Sequence, residues 1–184
     1  MSKLVLGSGS PRRMRLLTEA GVDFEIVKTD APEVFDESDP AGTVMRNALA
    51  KNAACRVLRP GRSILTADTL VWFDGKLLGK PISREEAVGM LESYSGRTQT
   101  VFTGVAYYDA DAGSTTVRAE ASTVLFRELS HATVEEYIDL VRPFDRAGAY
   151  DVATCRDLLI ESVTGSESNV VGLPMEMVLP MLGR

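Results

Sequence analysis

Cysteine and histidine are scarce in this 184-residue chain, which contains two cysteines and one histidine. Cys55 and Cys155 stand alone in their segments, and no Cys-x-x-Cys pair accompanies the single His131. Zinc sites need clustered cysteines and histidines, and disulfide-stapled domains need several cysteines, so neither class of protein is expected. We expect both cysteines to be packing residues.

Long apolar runs are also absent. No stretch approaches the roughly 20 residues of a membrane span, and arginines follow the first apolar strand too soon for a signal peptide. We therefore expect a cytoplasmic protein without a membrane partner. Twenty lysines and arginines against 26 aspartates and glutamates give a net charge of −6. This balance disfavours a nucleic acid polymer as partner and favours a small phosphorylated ligand held by clustered basic residues.

The chain has no repeat, low-complexity tract or linker, and its length and 45% hydrophobic content predict a single domain over residues 1–184. Capping patterns predict helices that start at Ser10-Pro11, at Asp39-Pro40 and at a Ser83/Glu86 capping box. Two further helices are predicted at 133–141 and from Pro174. Strands are predicted at 63–73, 98–108, 115–126 and 158–163, with a hairpin turn at Asp74-Gly75. Interleaved helices and hairpins indicate an α/β or α+β fold, a mixed sheet covered by helices with a cleft at one sheet edge.

The segment LVLGSGSPRRMRLLTEAG, residues 4–21, predicts a buried strand, a turn of small residues and an amphipathic helix. Ser10 suits the N-cap and Pro11 the first helical position, so Arg12 and Arg13 fall where the helix dipole is already positive. Positive charge there costs stability, and the pattern favours a bound anion over a tight turn with solvated arginines. The segment lacks the third glycine of a dinucleotide-binding loop, and the chain lacks the GK[ST] of a P-loop.

Asp68 is a carboxylate inside the apolar stretch ILTADTLVW. Its burial without a partner would be costly. Two interpretations remain open from the residues alone: a metal ligand or general base at the end of the sheet facing the cleft, or a structural acceptor for backbone amides. Thr69 would flank the same opening.

Lys51 interrupts an apolar helical stripe formed by Val44, Ala48, Cys55 and Leu58. Its side chain either extends past the stripe to solvent or reaches an anion at the edge of the core. Lys80, between Gly79 and Pro81, is equally ambiguous by itself. Glu33, in the acidic loop over residues 28–42, is expected to be solvated when it is considered alone.

Eight short blocks in series resemble the Maf family and run through nearly the whole chain in family order. They are SGSPRR at 8–13, Glu33, RNALAK at 46–51, ADT at 67–69, GKP at 79–81, SGRTQTVFTGV at 95–105, RAGAY at 146–150 and NVVGLP at 169–174. The resemblance implies a nucleoside triphosphate pyrophosphatase that releases a monophosphate and pyrophosphate with a divalent cation, Mg²⁺ or Mn²⁺. It also implies an elongated mixed sheet flanked by helices, two lobes around a central cleft as in inosine triphosphate pyrophosphatases, and a homodimer.

The resemblance also implies roles for individual residues. Asp68 would accept the proton of the attacking water and, with Glu33, hold the metal. Arg13 and Thr69 match positions associated with substrate choice. The remaining substrate-binding positions, most of which would hold phosphate oxygens, are Ser8, Ser10, Arg12, Lys51 and Lys80.

Two departures from the family pattern concern the substrate. Many members that prefer pyrimidine nucleotides have Ala-Tyr-Gly-Ile-Gln where this chain has Ala-Tyr-Asp-Val-Ala at 149–153, so the amide expected to contact the base is absent. Gln99 stands where histidine is frequent. The expected substrate is a pyrimidine triphosphate, dTTP or UTP, or a modified nucleotide. The alternatives are a non-catalytic nucleotide-binding regulator of cell division or septum formation, and a structural interaction domain that leaves the basic residues unexplained.

Overall fold

A single mixed sheet of seven strands organises the computed structural model, which describes residues 3–184. Its strands are β1 (Leu4–Leu6), β2 (Phe24–Ile26), β3 (Ile64–Phe73), β4 (Lys76–Leu78), β5 (Thr98–Asp109), β6 (Ser114–Phe126) and β7 (Ile160–Thr164). The order is β2-β1-β3-β5-β6-β7, and β4 pairs with β3. The β1–β2 and β1–β3 pairs are parallel and the others are antiparallel. The predicted mixed sheet is therefore confirmed.

Seven α-helices flank this sheet in the described part of the chain, which also has two short 3-10 helices, Pro143–Asp145 and Ala147–Ala149. The α-helices are α1 (Pro11–Glu19), α2 (Pro40–Leu58), α3 (Arg84–Ser93), α4 (His131–Val141), α5 (Arg156–Leu159), α6 (Glu167–Val171) and α7 (Met175–Met181). Asp39 caps α2 by accepting from the Gly42 amide at 2.9 Å. Ser83 caps α3 by accepting from the Glu86 amide at 3.1 Å. Only half of the predicted capping box forms, because the Glu86 carboxylate accepts from Ile82 and not from Ser83.

The hairpins form where the turn residues predict them. Asp74 and Gly75 both have positive φ, 54° and 80°, in the two-residue turn between β3 and β4. The sequence prediction missed β2, α5 and α6, which are short, and it began β7 two residues early because Leu158 and Leu159 end α5. Cys55 is buried as expected, but Cys155 is exposed, so its assignment as a packing residue is wrong.

Two large hydrophobic clusters give the molecule two lobes. One is centred on Tyr94, Phe126 and Tyr137 between α3, α4 and the sheet. The other joins Leu17 of α1 and Val178 of α7 to β1 and β3. Helix α2 packs on the sheet where Gly104 of β5 lies, and a Cβ atom at Gly104 would overlap the backbone of Val44. This close approach brings the α2 side chains down onto β3.

Candidate active site

A gap in the sheet lies along one edge of β3. Strand β1 pairs with that edge only at Ile64 and Leu65, and β4 pairs with it from Val71 onward. Among the described strands, none covers the intervening residues 66–70 on this side. A cavity of about 700 Å³ opens there, between the two lobes. The predicted cleft is present, but it is a gap inside the sheet and not at the sheet's edge, because two strands share one side of β3 and leave its middle free.

Asp68 lies in the middle of β3 and lines this cavity, with 6% of its surface exposed. Its Oδ1 accepts from the Lys51 ammonium at 2.6 Å and its Oδ2 accepts from the Asn47 amide at 2.9 Å. Both partners are side chains of α2, so the interpretation of Asp68 as an acceptor for backbone amides is wrong. The placement at the end of a sheet is also wrong, since the gap exposes the strand's middle.

Lys51 connects Asp68 to the acidic loop. Its Nζ lies 2.6 Å from Glu33 Oε1 and 2.6 Å from Asp68 Oδ1, and its side chain is 16% exposed. The interpretation that Lys51 reaches an anion is therefore the one that the structure supports. Glu33 is exposed, as expected for a residue of its loop, and it also forms an ion pair, which the loop alone did not predict. Leu58, at the end of the apolar stripe, is half exposed.

Asn47 fixes the backbone of the acidic loop beside Asp68. Its amide donates to the Val34 carbonyl at 3.0 Å, and its Oδ1 accepts from the Val34 N–H at 2.8 Å. The same side chain also contacts Asp68, so one residue joins the loop, the helix and the strand. The sequence analysis did not single out Asn47. Its position one helical turn before Lys51, within RNALAK, is the signal that could have identified it.

The N-terminus of α1 faces the cavity through Ser10, Arg12 and Arg13. Ser10 holds the N-cap position but makes no capping hydrogen bond with its side chain, so the predicted cap is wrong in that respect. The hydroxyl that organises this turn belongs to Ser8, which accepts from the Ser10 amide and from Arg13 Nη1, each at 3.2 Å. Within residues 3–184, Arg12 makes no ion pair. The first turn of α1 therefore keeps an uncompensated positive charge.

Arg13 uses its guanidinium to join the two sides of the cavity. Its Nε donates to the Gly172 carbonyl at 2.8 Å and its Nη2 donates to Thr69 Oγ1 at 3.0 Å. Desolvation by burial lowers the pKa of Arg13 to about 10, and the Asp68 carboxylate opposes this shift. Arg13 remains charged at neutral pH and is held by protein partners, whereas Arg12 is not.

Eight of the nine site residues predicted from the sequence line this one cavity. They are Ser10, Arg12, Arg13, Glu33, Lys51, Asp68, Thr69 and Lys80. Ser8 is buried behind Arg13 and does not line it. Lys80 lies at the mouth of the cavity, after β4. Five basic and four acidic residues line the cavity of a chain whose net charge is −6, so positive charge is concentrated here.

Further residues that the sequence analysis did not assign to the site line the far side of the cavity, among them Arg146, Tyr150, Asp151 and Val152. Arg146 and Tyr150 belong to the RAGAY block, and that block is the signal that could have placed them. Ala153, where the family resemblance led us to expect an amide that contacts the base, is exposed and does not line the cavity.

The donor atoms of the cavity can be compared with what a divalent cation needs. Magnesium is commonly held by one or two carboxylates together with phosphates of a substrate. Glu33 and Asp68 supply two carboxylates that converge on the same ammonium. Within residues 3–184, no three His, Cys, Asp or Glu side chains are grouped to hold a metal. The donor set fits a cation shared with a phosphate ligand and does not fit a site closed by protein ligands alone.

None of the helices in residues 3–184 has the length and apolar character that a membrane crossing requires.

Comparison with known proteins gives concordant results. The chain is 37% identical over 183 residues to a dTTP/UTP pyrophosphatase of Desulforamulus reducens, covering 99% of this chain and 96% of the relative. It is 42% identical over 183 residues to a dTTP/UTP pyrophosphatase of Moorella thermoacetica, covering 99% and 94%. The solved Ham1 protein of Staphylococcus aureus shares the fold, with a TM-score of 0.50 and 14% identity over 69% of this chain and 73% of that one. The model of the family described as Maf-like protein matches residues 3–184. The chain therefore belongs to the Maf-like protein family.

Proposed function

We propose that this chain is a nucleoside triphosphate pyrophosphatase, a single domain over residues 1–184 that acts on a pyrimidine triphosphate such as dTTP or UTP. The observation that carries the proposal is the convergence of Arg12, Lys51 and Lys80 with two carboxylates in one gap of the sheet. The names of the relatives, dTTP/UTP pyrophosphatases at 37% and 42% identity over nearly the whole chain, support the reaction and the pyrimidine base.

The triphosphate would lie at the positive end of the cavity. Arg12, at the open N-terminus of α1, and Lys80, at the mouth, line the cavity and provide positive charge for its oxygens. Lys51 offers its ammonium between the two carboxylates. Ser8 and Ser10 shape the turn before α1, and Arg13 with Thr69 fixes the wall beside it. These groups hold charge in place before the substrate arrives, which is how most phosphoryl chemistry is accelerated.

Asp68 is the proton acceptor in this proposal. A water molecule attacks the α-phosphorus, its proton passes to Asp68, and the bond from the α-phosphorus to the oxygen that bridges it to the β-phosphate breaks. The products are the nucleoside monophosphate and pyrophosphate. Lys51 and Asn47 hold the Asp68 carboxylate in one orientation, which general base catalysis requires. No covalent intermediate on a serine or cysteine is needed.

A divalent cation, Mg²⁺ or Mn²⁺, belongs to the proposal. Glu33 and Asp68 are the residues that would hold it, together with phosphate oxygens of the substrate. When bound, the cation would neutralise part of the negative charge of the phosphates. The proposal also includes a homodimer, as the family resemblance suggests, and a cytoplasmic location, as the sequence pattern predicts. Sedimentation measures the oligomeric state, and cell fractionation measures the location.

Pyrophosphate release from a panel of triphosphates, with Mg²⁺ or Mn²⁺ and with a chelator, tests this function. We expect release from dTTP and UTP that falls by at least about a hundredfold in Asp68→Asn. Asp111→Asn, an equal change of charge in the exposed β5–β6 turn, is the matched control and keeps full activity. Equal rates in the wild type and Asp68→Asn would remove Asp68 from the mechanism. Tight binding without turnover would favour the non-catalytic regulator.

A further inference from the structure

A second ion pair lines the cavity on the side away from α1, and the proposed hydrolysis does not use it. Arg146 Nη2 lies 3.1 Å from Asp151 Oδ2, and the two side chains are 18% and 6% exposed. Both residues line the same cavity as Arg12 and Asp68. A buried ion pair costs desolvation energy and adds little net stability. Its position in a ligand cavity is therefore better explained by a contact with the ligand.

The segment that carries this pair is held at a fixed place along β3. The Gly148 amide donates to the Gly79 carbonyl at 3.0 Å, and Gly148 packs against Val71. Val71 is three residues beyond Asp68, roughly 10 Å along the strand. The Asp151 amide donates to Tyr137 Oη of α4 at 2.8 Å. The segment that carries the ion pair is therefore displaced from Asp68 along β3, toward the end of the strand that pairs with β4.

The surroundings of the pair change from charged to apolar. The cavity lining near it is formed mainly by aliphatic and aromatic side chains, namely Val71, Val101, Tyr150, Val152, Val170 and Val171. Ligand pockets of this kind use apolar walls to cover a flat ring and a few polar groups to fix its orientation. This end of the cavity has the composition expected for a nucleobase subsite.

Arg146 and Asp151 have hydrogen-bonding sites that their contacts with the protein do not use. Asp151 Oδ1 accepts from the Ala153 amide at 2.8 Å, and Oδ2 faces Arg146 and, at 3.4 Å, Thr154 Oγ1. Each carboxylate oxygen has two lone pairs, so not all acceptor sites are used. Arg146 Nη1 donates to the Val141 carbonyl, and its buried Nε lies 3.9 Å from Asp145 Oδ1 and has no hydrogen-bond partner in the described structure. The pair presents a donor beside an acceptor.

We propose that Arg146 and Asp151 select the nucleobase by its hydrogen-bonding edge, an inference that rests on the proposed function. Uracil and thymine present a carbonyl next to a ring N–H, which matches a guanidinium donor beside a carboxylate acceptor. Cytosine presents an amino group next to an unprotonated ring nitrogen, the reverse order. Because the phosphates anchor the other end of the ligand, the base cannot turn over to restore the match. The site therefore selects oxo bases against amino bases, without a side chain from the exposed Ala153.

Asp151→Asn tests the assignment with the smallest change. Asparagine retains an oxygen for the Ala153 amide and replaces the other acceptor by an amide donor. We expect the preference for UTP over CTP, measured as the ratio of kcat/KM values and separately as the ratio of Kd values from calorimetry, to fall by about tenfold or more. Arg146→Lys, which keeps the charge and loses the planar fork, lowers both ratios as well. This variant also covers the case in which Asp151→Asn fails to fold.

Thr154→Ala is the matched control, since it removes a contact to the same carboxylate oxygen and leaves the charges in place. We expect Thr154→Ala to keep the wild-type preference for UTP over CTP, both in kcat/KM and in Kd. Equal losses for UTP and CTP in Asp151→Asn, with unchanged ratios, would show a structural role and overturn the inference, as would an equal shift in Thr154→Ala. A wild type that binds UTP over CTP but releases no pyrophosphate would overturn the proposed function alone, because the Kd ratios still decide the inference.

Discussion

Lys51 Nζ lies 2.6 Å from Asp68 Oδ1 in a largely buried ion pair that joins helix α2 to the middle of strand β3. The same ammonium contacts Glu33 at 2.6 Å, so one cation holds together the two carboxylates assigned to catalysis. A pair at this depth costs desolvation energy, and removing one partner leaves the other charge uncompensated. Stability and function are therefore coupled at this point.

Lys51→Met isolates the Asp68 carboxylate and should lower the free energy of unfolding by about 3 kcal/mol. The double variant with Asp68→Asn should recover part of this loss, because the uncompensated charge is gone. Urea denaturation of the two single variants and the double variant measures the coupling, which we expect to be about 1–3 kcal/mol. If the loss in the double variant equalled the sum of the losses in the two single variants, the ion pair would be contradicted.

Asn47→Ala should reduce both stability and turnover. The buried amide makes hydrogen bonds to Val34 and Asp68, and their loss costs about 1–3 kcal/mol. Asn52→Ala is the matched control, because Asn52 is buried on the same helix and donates only to the backbone carbonyls of Ile64 and Ala106. We expect similar melting temperatures for the two variants but a lower kcat only in Asn47→Ala. A kcat loss of the same size in Asn52→Ala would mean that α2 stability alone explains the effect.

Gly104→Ala should displace α2 from the sheet, because a Cβ atom there overlaps the backbone of Val44. We expect a loss of about 1–3 kcal/mol in the free energy of unfolding, and lower activity since Lys51 and Asn47 move with the helix. Gly89 is the control: it lies inside α3 with no atom near a new Cβ, so Gly89→Ala should stabilise the protein by up to about 1 kcal/mol. Denaturant unfolding measures the free energy of unfolding of both variants. An unchanged value for Gly104→Ala would contradict the tight packing of α2 on β5.

Arg12 and Arg13 should respond differently to substitution, although they are adjacent. Arg13→Met removes three hydrogen bonds and should lower the free energy of unfolding by about 1–3 kcal/mol. Arg12→Met should change it by no more than about 0.5 kcal/mol but raise KM for the triphosphate. Thermal unfolding and steady-state kinetics separate the two effects. An equal loss of stability in both variants would contradict the assignment of Arg13 as the structural arginine.

His131 should make stability depend on pH. The hydrogen bond that the His131 ring donates to the Glu92 carboxylate raises the pKa of His131 above its usual value, and the charges of Glu92 and Glu135 act in the same direction. A raised pKa means that the stabilisation is fully present below about pH 6.5 and is lost as the pH rises through the higher value of the folded protein. Melting temperatures of the wild type and His131→Gln, compared from about pH 5 to about pH 9, should converge at alkaline pH. A difference in melting temperature that stays constant over this pH range would show that the titration of His131 does not contribute to stability.

The elements that local chemistry specifies could be predicted from the sequence. Asp39-Pro40 begins α2 because the side chain and the restricted ring act within one turn, and Asp74-Gly75 forms the tight turn because both residues adopt positive φ. The short elements β2, α5 and α6 could not be predicted, since three to five residues carry too little periodicity and are formed by their neighbours.

The candidate residues came from the sequence, through charges placed against the local pattern and through the blocks shared with a family. Only the tertiary structure decided how they meet: β1 and β4 pair with the same edge of β3, and the gap between them brings Asp68, Lys51 and Glu33 together. The tertiary structure also decided that Arg13 is bound by protein groups and that Arg146 forms an ion pair with Asp151 in the lining of the cavity. Except for Arg146 and Asp151, which an irregular loop brings together, these contacts join residues far apart in the chain, whereas local propensity and spacing act only over a few neighbouring residues.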